Sequence, residues 1–135
     1  MQQEEFVLYH YHESLCSQMV RLALAEKEIA WLSRPVMLND VVLHGDNFTP
    51  EYLRINPKGF VPVLVHDGKP VYDSWVIINH LDACRPDGGT RLTPSDPDTR
   101  ARMQGWVRDA SLVSDKAARQ VGRALHDIER ALQPG

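Results

Sequence analysis

The sequence predicts an α/β domain of order βαβαββα followed by an abbreviated all-α segment. Three observations carry this. Short runs rich in β-branched and aromatic residues sit near the start and middle of the chain, stretches with helical spacing alternate with them, and helical spacing alone follows a Pro/Gly-rich stretch at 85–95. A length of 135 residues with 43% apolar content allows one domain, or one domain and a piece of another.

Residues 6–11, Phe-Val-Leu-Tyr-His-Tyr, read as the first strand. Met19, Leu22, Ala23 and Glu26 follow at helical spacing, with good helix formers through Lys27. A second strand is expected at 31–36, and the polar, glycine-containing stretch 38–48 reads as a loop. Thr49 can cap the next helix, and Pro50 suits its first turn, where no N–H is needed. Asn56-Pro57-Lys58-Gly59 ends that helix with turn chemistry. Residues 61–66 and 70–72, joined by Asp67-Gly68, form the clearest hairpin. Asp73-Ser74 then opens a helix through Ala83, with Trp75, Ile78 and Leu81 available to face a sheet.

The predicted organisation is a domain at 1–85, a linker at 86–95 and a partial helical domain at 96–135. In the last, Met103, Trp106, Ala110, Val113, Ala117, Val121, Leu125, Ile128 and Leu132 recur at three- and four-residue steps. One long helix or two packed helices satisfy this pattern equally.

Charge and cysteine usage narrow the function classes. The formal net charge is −3 and no basic run stands out, so nucleic acid is not expected as a partner. The charge is uneven: residues 1–85 hold 7 Lys and Arg against 11 Asp and Glu, and residues 86–135 hold 8 against 7, so the front part is the acidic one. Cys16 and Cys84 are too few for a disulfide framework, and their spacing matches no zinc motif, so no metal is expected. The start is polar and acidic and no apolar stretch could span a bilayer, which predicts a cytoplasmic protein with no membrane partner.

Three motifs follow one another: "SLCS" at 14–17, "NPKGFVPVL" at 56–64 and "DSWVI" at 73–77. With them the first 85 residues resemble the amino-terminal, thioredoxin-like domain of glutathione S-transferases. The stretch "LYHYHESLCSQMVRLAL" is most similar to the zeta branch, whose members carry Ser-Ser-Cys at this point. Further on, "RLTPSDPDTRARMQGWV" resembles the linker and first helix of the family's helical domain. That domain takes roughly a hundred or more residues, and fifty follow Arg85 here. The resemblance therefore implies a shortened member or a truncated chain.

The resemblance assigns roles to particular residues. It implies a cis Val61-Pro62 bond that frees the Val61 N–H and C=O to pair with the cysteinyl part of glutathione, by strand addition. An ordinary edge-strand proline is the plainer reading. Asp73 and Ser74 are good N-caps on any reading, and a capped helix start is also a seat for a carboxylate. In the family, Ser74 takes the γ-glutamyl carboxylate and the acidic residue takes the ammonium, although Glu or Gln often stands where this chain has Asp73. Asn47, His44 and Lys58 are candidates for the glycyl carboxylate, and each is equally readable as a solvated loop residue.

Ser14 matches the zeta-type catalytic serine, whose hydroxyl donates to the glutathione thiolate beside a helix N-terminus. Its plainer role is N-cap. Cys16 matches the motif's cysteine and could form a mixed disulfide with glutathione, or be a small buried residue. Ser17 is a second-choice hydroxyl, and Leu15 replaces the family's second serine. His10 and His12 share one face of the first strand without a third metal ligand, and Cys84 reads as packing. The Trp106, Val107 and Ala110 stripe reads as core or interface, and in relatives that helix borders the second substrate's pocket.

The expected function is a glutathione transferase, with glutathione as co-substrate and a small electrophile as its target. Two alternatives stand beside it: a Cys16-dependent thiol–disulfide oxidoreductase, and a non-catalytic glutathione-transferase-like interaction module. Apolar helix faces left by missing helices predict a homodimer or a bound partner.

Overall fold

The computed structural model of the chain describes residues 5–38 and 45–133. Four strands, β1 (Phe6–His10), β2 (Leu32–Pro35), β3 (Val63–His66) and β4 (Lys69–Tyr72), form one sheet of order β2-β1-β3-β4. Between them run helices α1 (Leu15–Glu26) and α2 (Pro50–Ile55), and α3 (Ser74–Cys84) follows the last strand. β1 and β2 are parallel, as a helical crossover through α1 requires. β3 is antiparallel to both β1 and β4. This is the predicted thioredoxin-like βαβαββα order.

Local chemistry explains the connections. His66 pairs with Lys69 across a two-residue turn whose Asp67 and Gly68 have φ of 47° and 80°. Positive φ at both central positions is the primed geometry that matches strand twist, and Asp-Gly is among its preferred sequences. A 3-10 turn, Asp46–Phe48, precedes α2 within the stretch predicted as loop. Thr49 caps α2, its hydroxyl accepting from the Tyr52 N–H, with Pro50 at the first position.

Phe6, Leu8 and His10 alternate onto the buried face of β1, where Phe6 and Leu8 meet Val20, Ala23 and Leu24 of α1, Leu64 of β3, and Ile77 and Leu81 of α3. The other sheet face carries a smaller cluster of Val36, Tyr52 and Val63, joined by Tyr9 and Val61. The sequence reading of the helix faces holds for Ala23, Ile78 and Leu81, which meet the core, and not for Leu22 and Trp75. Leu22 is 64% exposed and Trp75 37%, while Val20, Leu24 and Ile77 are fully buried. Each helix has apolar residues on two neighbouring stripes, and only the sheet selects between them.

A buried ion pair closes the far end of the domain. Lys27 is 1% exposed, and its Nζ donates to Asp82 Oδ1 at 2.9 Å. Asp82 also accepts the N–H groups of Leu92 (3.0 Å) and Thr93 (2.8 Å). Burial alone would raise the Asp82 carboxyl, but these three donors outweigh it and hold it at about 2. The stretch after Arg85, predicted loose, is thereby tied down: Thr90 N–H donates to the Glu26 carbonyl at 2.7 Å. Gly89, at φ 54°, packs so closely that a Cβ would run into that carbonyl.

The chain divides into two compact units, Met1–Thr93 and Pro94–Gly135. In the second, the pattern that left one or two helices open is resolved as a single 36-residue helix, α4 (Pro97–Leu132). Asp96 caps it, accepting from both the N–H and the hydroxyl of Thr99. Among the described residues no helix is long and apolar enough to cross a membrane.

Candidate functional site

The passage from β1 to α1 is held by Arg21. Its guanidinium donates to His10 Nδ1 (3.0 Å) and to the carbonyls of Tyr11 (3.3 Å) and His12 (2.9 Å). Arginine only donates, so His10 carries its proton on Nε2 and gives it to Ser33 Oγ at 2.7 Å. Burial, with Arg21 beside it, holds His10 below the usual histidine range and keeps it neutral. β1 ends at His10, and His12 lies exposed in the turn beyond, so the two do not share a strand face.

The Ser-Cys-Ser trio is split by the helix start. Ser14 is the N-cap of α1, and its Oγ accepts from the Ser17 N–H at 3.2 Å. Capping uses the acceptor side of that hydroxyl and leaves its proton to donate. Cys16 is exposed. Ser17 is fully buried, its hydroxyl accepting from the Tyr11 N–H, so it seats the turn from below.

Val61-Pro62 is cis. The preceding carbonyl, of Phe60, is clamped by the Tyr52 hydroxyl at 2.6 Å and by Asn56 Nδ2 at 2.9 Å. Burial pushes Tyr52 up to about 12, so it stays a donor at ordinary pH. Asn56 closes the turn as well, its Oδ1 accepting the Lys58 N–H at 3.1 Å. With its neighbours fixed in this way, the Val61 N–H and C=O engage in no hydrogen bond among the described residues. Asn47 is buried beneath the same turn, and its amide donates to the Gly59 carbonyl at 3.1 Å.

At the end of β4, Asp73 has φ 71° and ψ 127°, a region that side chains other than hydrogen rarely adopt. Its Oδ1 caps α3 by accepting the N–H groups of Trp75 (3.0 Å) and Val76 (3.3 Å). Ser74, the first helical residue, is 7% exposed. Among the described residues no hydrogen bond uses its N–H or its hydroxyl. Tyr72 ties this corner to α2, its hydroxyl donating to the Ile55 carbonyl at 2.7 Å.

These pieces surround one cleft of ≈720 Å³, within the range of roughly 300–1,000 Å³ common for small-molecule sites. Cys16, Lys58, Val61, Pro62, Asp73 and Ser74 line it, together with Asn56, Pro57, Phe60 and Tyr72. Six predicted site residues are thus brought together. Ser14 stands at the helix start two residues from Cys16 without lining the cleft, while Ser17 and Asn47 are buried away from it. His44 lies outside the described residues. Sequence reasoning missed Phe60, Tyr72 and the Tyr52–Asn56 clamp. The only signal was Asn56 itself, whose side chain was open to a second use once the turn was recognised.

A thioredoxin-like domain whose cis proline, capped α3 start and α1 residue Cys16 line one cleft defines the class, and the chain belongs to the glutathione S-transferase family. Residues 13–84 match the model for the glutathione S-transferase N-terminal domain. Among curated relatives, a probable maleylacetoacetate isomerase 1 of Drosophila melanogaster is 41% identical over 101 residues, covering 75% of this chain and 40% of that protein. A zeta-class glutathione S-transferase of Euphorbia esula is 42% identical over 80 residues, covering 59% and 34%. The chain thus spans less than half the length of these relatives. A crystal structure of a glutathione transferase homologue from Sulfitobacter, with bound glutathione, aligns with a TM-score of 0.63 and 28% identity, covering 74% of this chain and 45% of that one.

Proposed function

We propose that the chain binds glutathione in this cleft as co-substrate and holds its thiolate for attack on a small electrophile. The observation that carries the reading is that two neighbouring sites have polar groups engaged in no hydrogen bond among the described residues: the N–H and C=O of Val61, and the N–H and hydroxyl of Ser74. They are the donors and acceptor that an extended γ-glutamyl-cysteinyl segment requires. The glutathione bound to the Sulfitobacter homologue supports the same occupant.

In this reading Val61 pairs with the cysteinyl backbone. Ser74 takes the γ-glutamyl carboxylate, helped by the positive end of α3. Asp73 offers its second carboxylate oxygen to the ammonium, since Oδ1 is used in capping. Lys58, exposed at the cleft, takes the glycyl carboxylate. Asn47 supports that loop from beneath rather than touching ligand. The Ser14 hydroxyl donates to the sulfur. The thiol gives its proton to solvent, the thiolate forms a bond to the electrophilic carbon, and a leaving group or an adjacent π bond accepts the displaced electron pair.

A hydrogen bond to a charged group is worth about 1.5–3 kcal/mol, equivalent to a thiol pKa lowered by roughly one to two. Ser14→Ala should therefore lower conjugation at neutral pH by about 10- to 100-fold. Glutathione retention should survive, and raising the pH should restore most of the loss. Unchanged turnover would remove Ser14 from the mechanism, and retention without any conjugation by the parent chain would favour the interaction-module reading.

One observation favours a second reading: Cys16 is exposed and lines the cleft, whereas Ser14 does not. Its thiolate could attack oxidised glutathione, forming a mixed disulfide and releasing one glutathione thiolate. Intact-mass spectra would then show one glutathionyl adduct, lost in Cys16→Ser.

The electrophile and the assembly state belong to the proposal as well. Trp106, Leu112, Ile128 and Leu132 of α4 are more than half exposed, which supports a homodimer or a bound partner for that helix.

A further inference from the structure

At the opposite end of β3 from the cis proline, two imidazole nitrogens and a thiol sulfur converge. His66 is the last residue of β3, and His80 and Cys84 are four residues apart on α3, so they share one helix face. His66 Nδ1 lies 2.8 Å from His80 Nε2, and the ligand atoms of all three residues lie within 4.8 Å of one another. From this geometry we infer a binding site for a borderline-soft d10 cation of the Zn²⁺ type, held by His66 Nδ1, His80 Nε2 and Cys84 Sγ.

Zinc–nitrogen bonds of about 2.0–2.1 Å and zinc–sulfur bonds of about 2.3 Å give tetrahedral edges of roughly 3.3–3.6 Å. From the 2.8 Å contact the imidazole nitrogens need to part by about half an ångström, and a nitrogen–sulfur separation near the 4.8 Å limit needs to close by about 1 Å, movements assigned to rotation of the three side chains. The scaffold is firm: His66 is registered against Phe6 in the β1–β3 ladder and stacks on its ring at 4.4 Å. Three protein ligands with solvent in the fourth position complete the coordination.

The surroundings favour metal over an isolated pair of imidazoles. Binding through Nδ1 of His66 requires the proton on Nε2, and two carboxylates wait there, Glu5 Oε1 and Asp67 Oδ2, each 3.5 Å away. A carboxylate behind a ligating histidine fixes its tautomer and raises its basicity. Glu5 is itself held by the Arg85 guanidinium. Burial keeps His80 below the usual histidine range, leaving it in the neutral form that ligates. Burial likewise raises Cys84, so it rests as a thiol. On binding, Cys84 loses its proton to buffer as the metal–sulfur bond forms, and the one proton between the imidazoles, carried by His80 Nε2 when His66 is protonated on its own Nε2, moves to His80 Nδ1.

The test is titration of the 135-residue chain with Zn²⁺ against a chromophoric chelator, and with Co²⁺ by absorption. We expect one equivalent of metal and a thiolate-to-cobalt charge-transfer band that survives Cys16→Ser and disappears in Cys84→Ser. His80→Gln should weaken zinc binding at least tenfold, and Glu5→Gln, which leaves all three ligands in place, by about 10-fold or more. Circular dichroism melts identify any variant that fails to fold, and the partly exposed His80 and Glu5 carry the test if Cys84→Ser does. Absence of stoichiometric binding, a band that follows Cys16 instead of Cys84, or unchanged affinity in His80→Gln would each overturn the site.

Discussion

Asp73 concentrates the residue-scale argument. It holds a backbone conformation that favours glycine while its carboxylate caps two N–H groups of α3. Replacing it separates the two effects. Asp73→Ala keeps the strained backbone and loses the cap, which costs about 1 kcal/mol. Asp73→Gly loses the same cap but relieves strain of order 1–3 kcal/mol. Denaturant melts should therefore find the glycine variant more stable than the alanine variant, and the reverse order would remove the strain argument. Both variants should weaken glutathione retention, because both remove the carboxylate proposed to meet the ammonium. Function, on this view, keeps an acidic side chain where backbone geometry alone would choose glycine.

At the scale of elements, the Lys27–Asp82 pair joins the end of α1 to α3 and to the backbone of Leu92 and Thr93. It is the clearest feature the sequence concealed. Lys27 follows a run of good helix formers, and nothing in its local pattern distinguishes a buried lysine from a solvated one, since its partner lies 55 residues away. The pH consequence has a definite sign. Asp82 is depressed to about 2, below its unfolded value of about 3.9, so its contribution is complete above pH ~4 and is lost as pH falls towards about 2. Unfolding free energy measured over that window should fall less steeply in Asp82→Asn than in the parent. At neutral pH, Asp82→Ala should destabilise by about 3–5 kcal/mol, as removal of one partner from a buried pair does.

Elements written in local chemistry were legible. The Asp-Gly hairpin, the Thr49-Pro50 helix start and the Asp73-Ser74 corner all lie where turn and cap rules place them. Helix phase in α1 and α3 was legible in part: Ala23, Ile78 and Leu81 meet the core as read, whereas Leu22 and Trp75 do not, because two apolar stripes compete and the sheet decides. The site divides the same way. Residues proposed to act through backbone or cap, Val61, Pro62, Asp73 and Ser74, were readable from their motifs and do line the cleft. The Tyr52–Asn56 clamp on Phe60 was not readable, because it depends on how α2 folds back over the turn that ends it. The His66, His80 and Cys84 cluster was hidden for a similar reason, with one ligand on a strand and two on a helix across a hairpin.

At the scale of the whole molecule, the α/β unit of this glutathione S-transferase family member presents a cleft with unengaged polar groups at Val61 and Ser74. The fold supplies unengaged polar groups at Val61 and Ser74 and the exposed Lys58 in the cleft, and beside it, at the start of α1, the Ser14 hydroxyl with its proton to give. The measurement that tests this most directly is amide-resolved NMR during titration of reduced glutathione into the 135-residue chain. Saturable shifts are expected at the Val61 and Ser74 amides, with smaller changes at the start of α1 and none around Asp82. Saturable binding that leaves Val61 and Ser74 unmoved, or no binding at millimolar glutathione, would contradict the account.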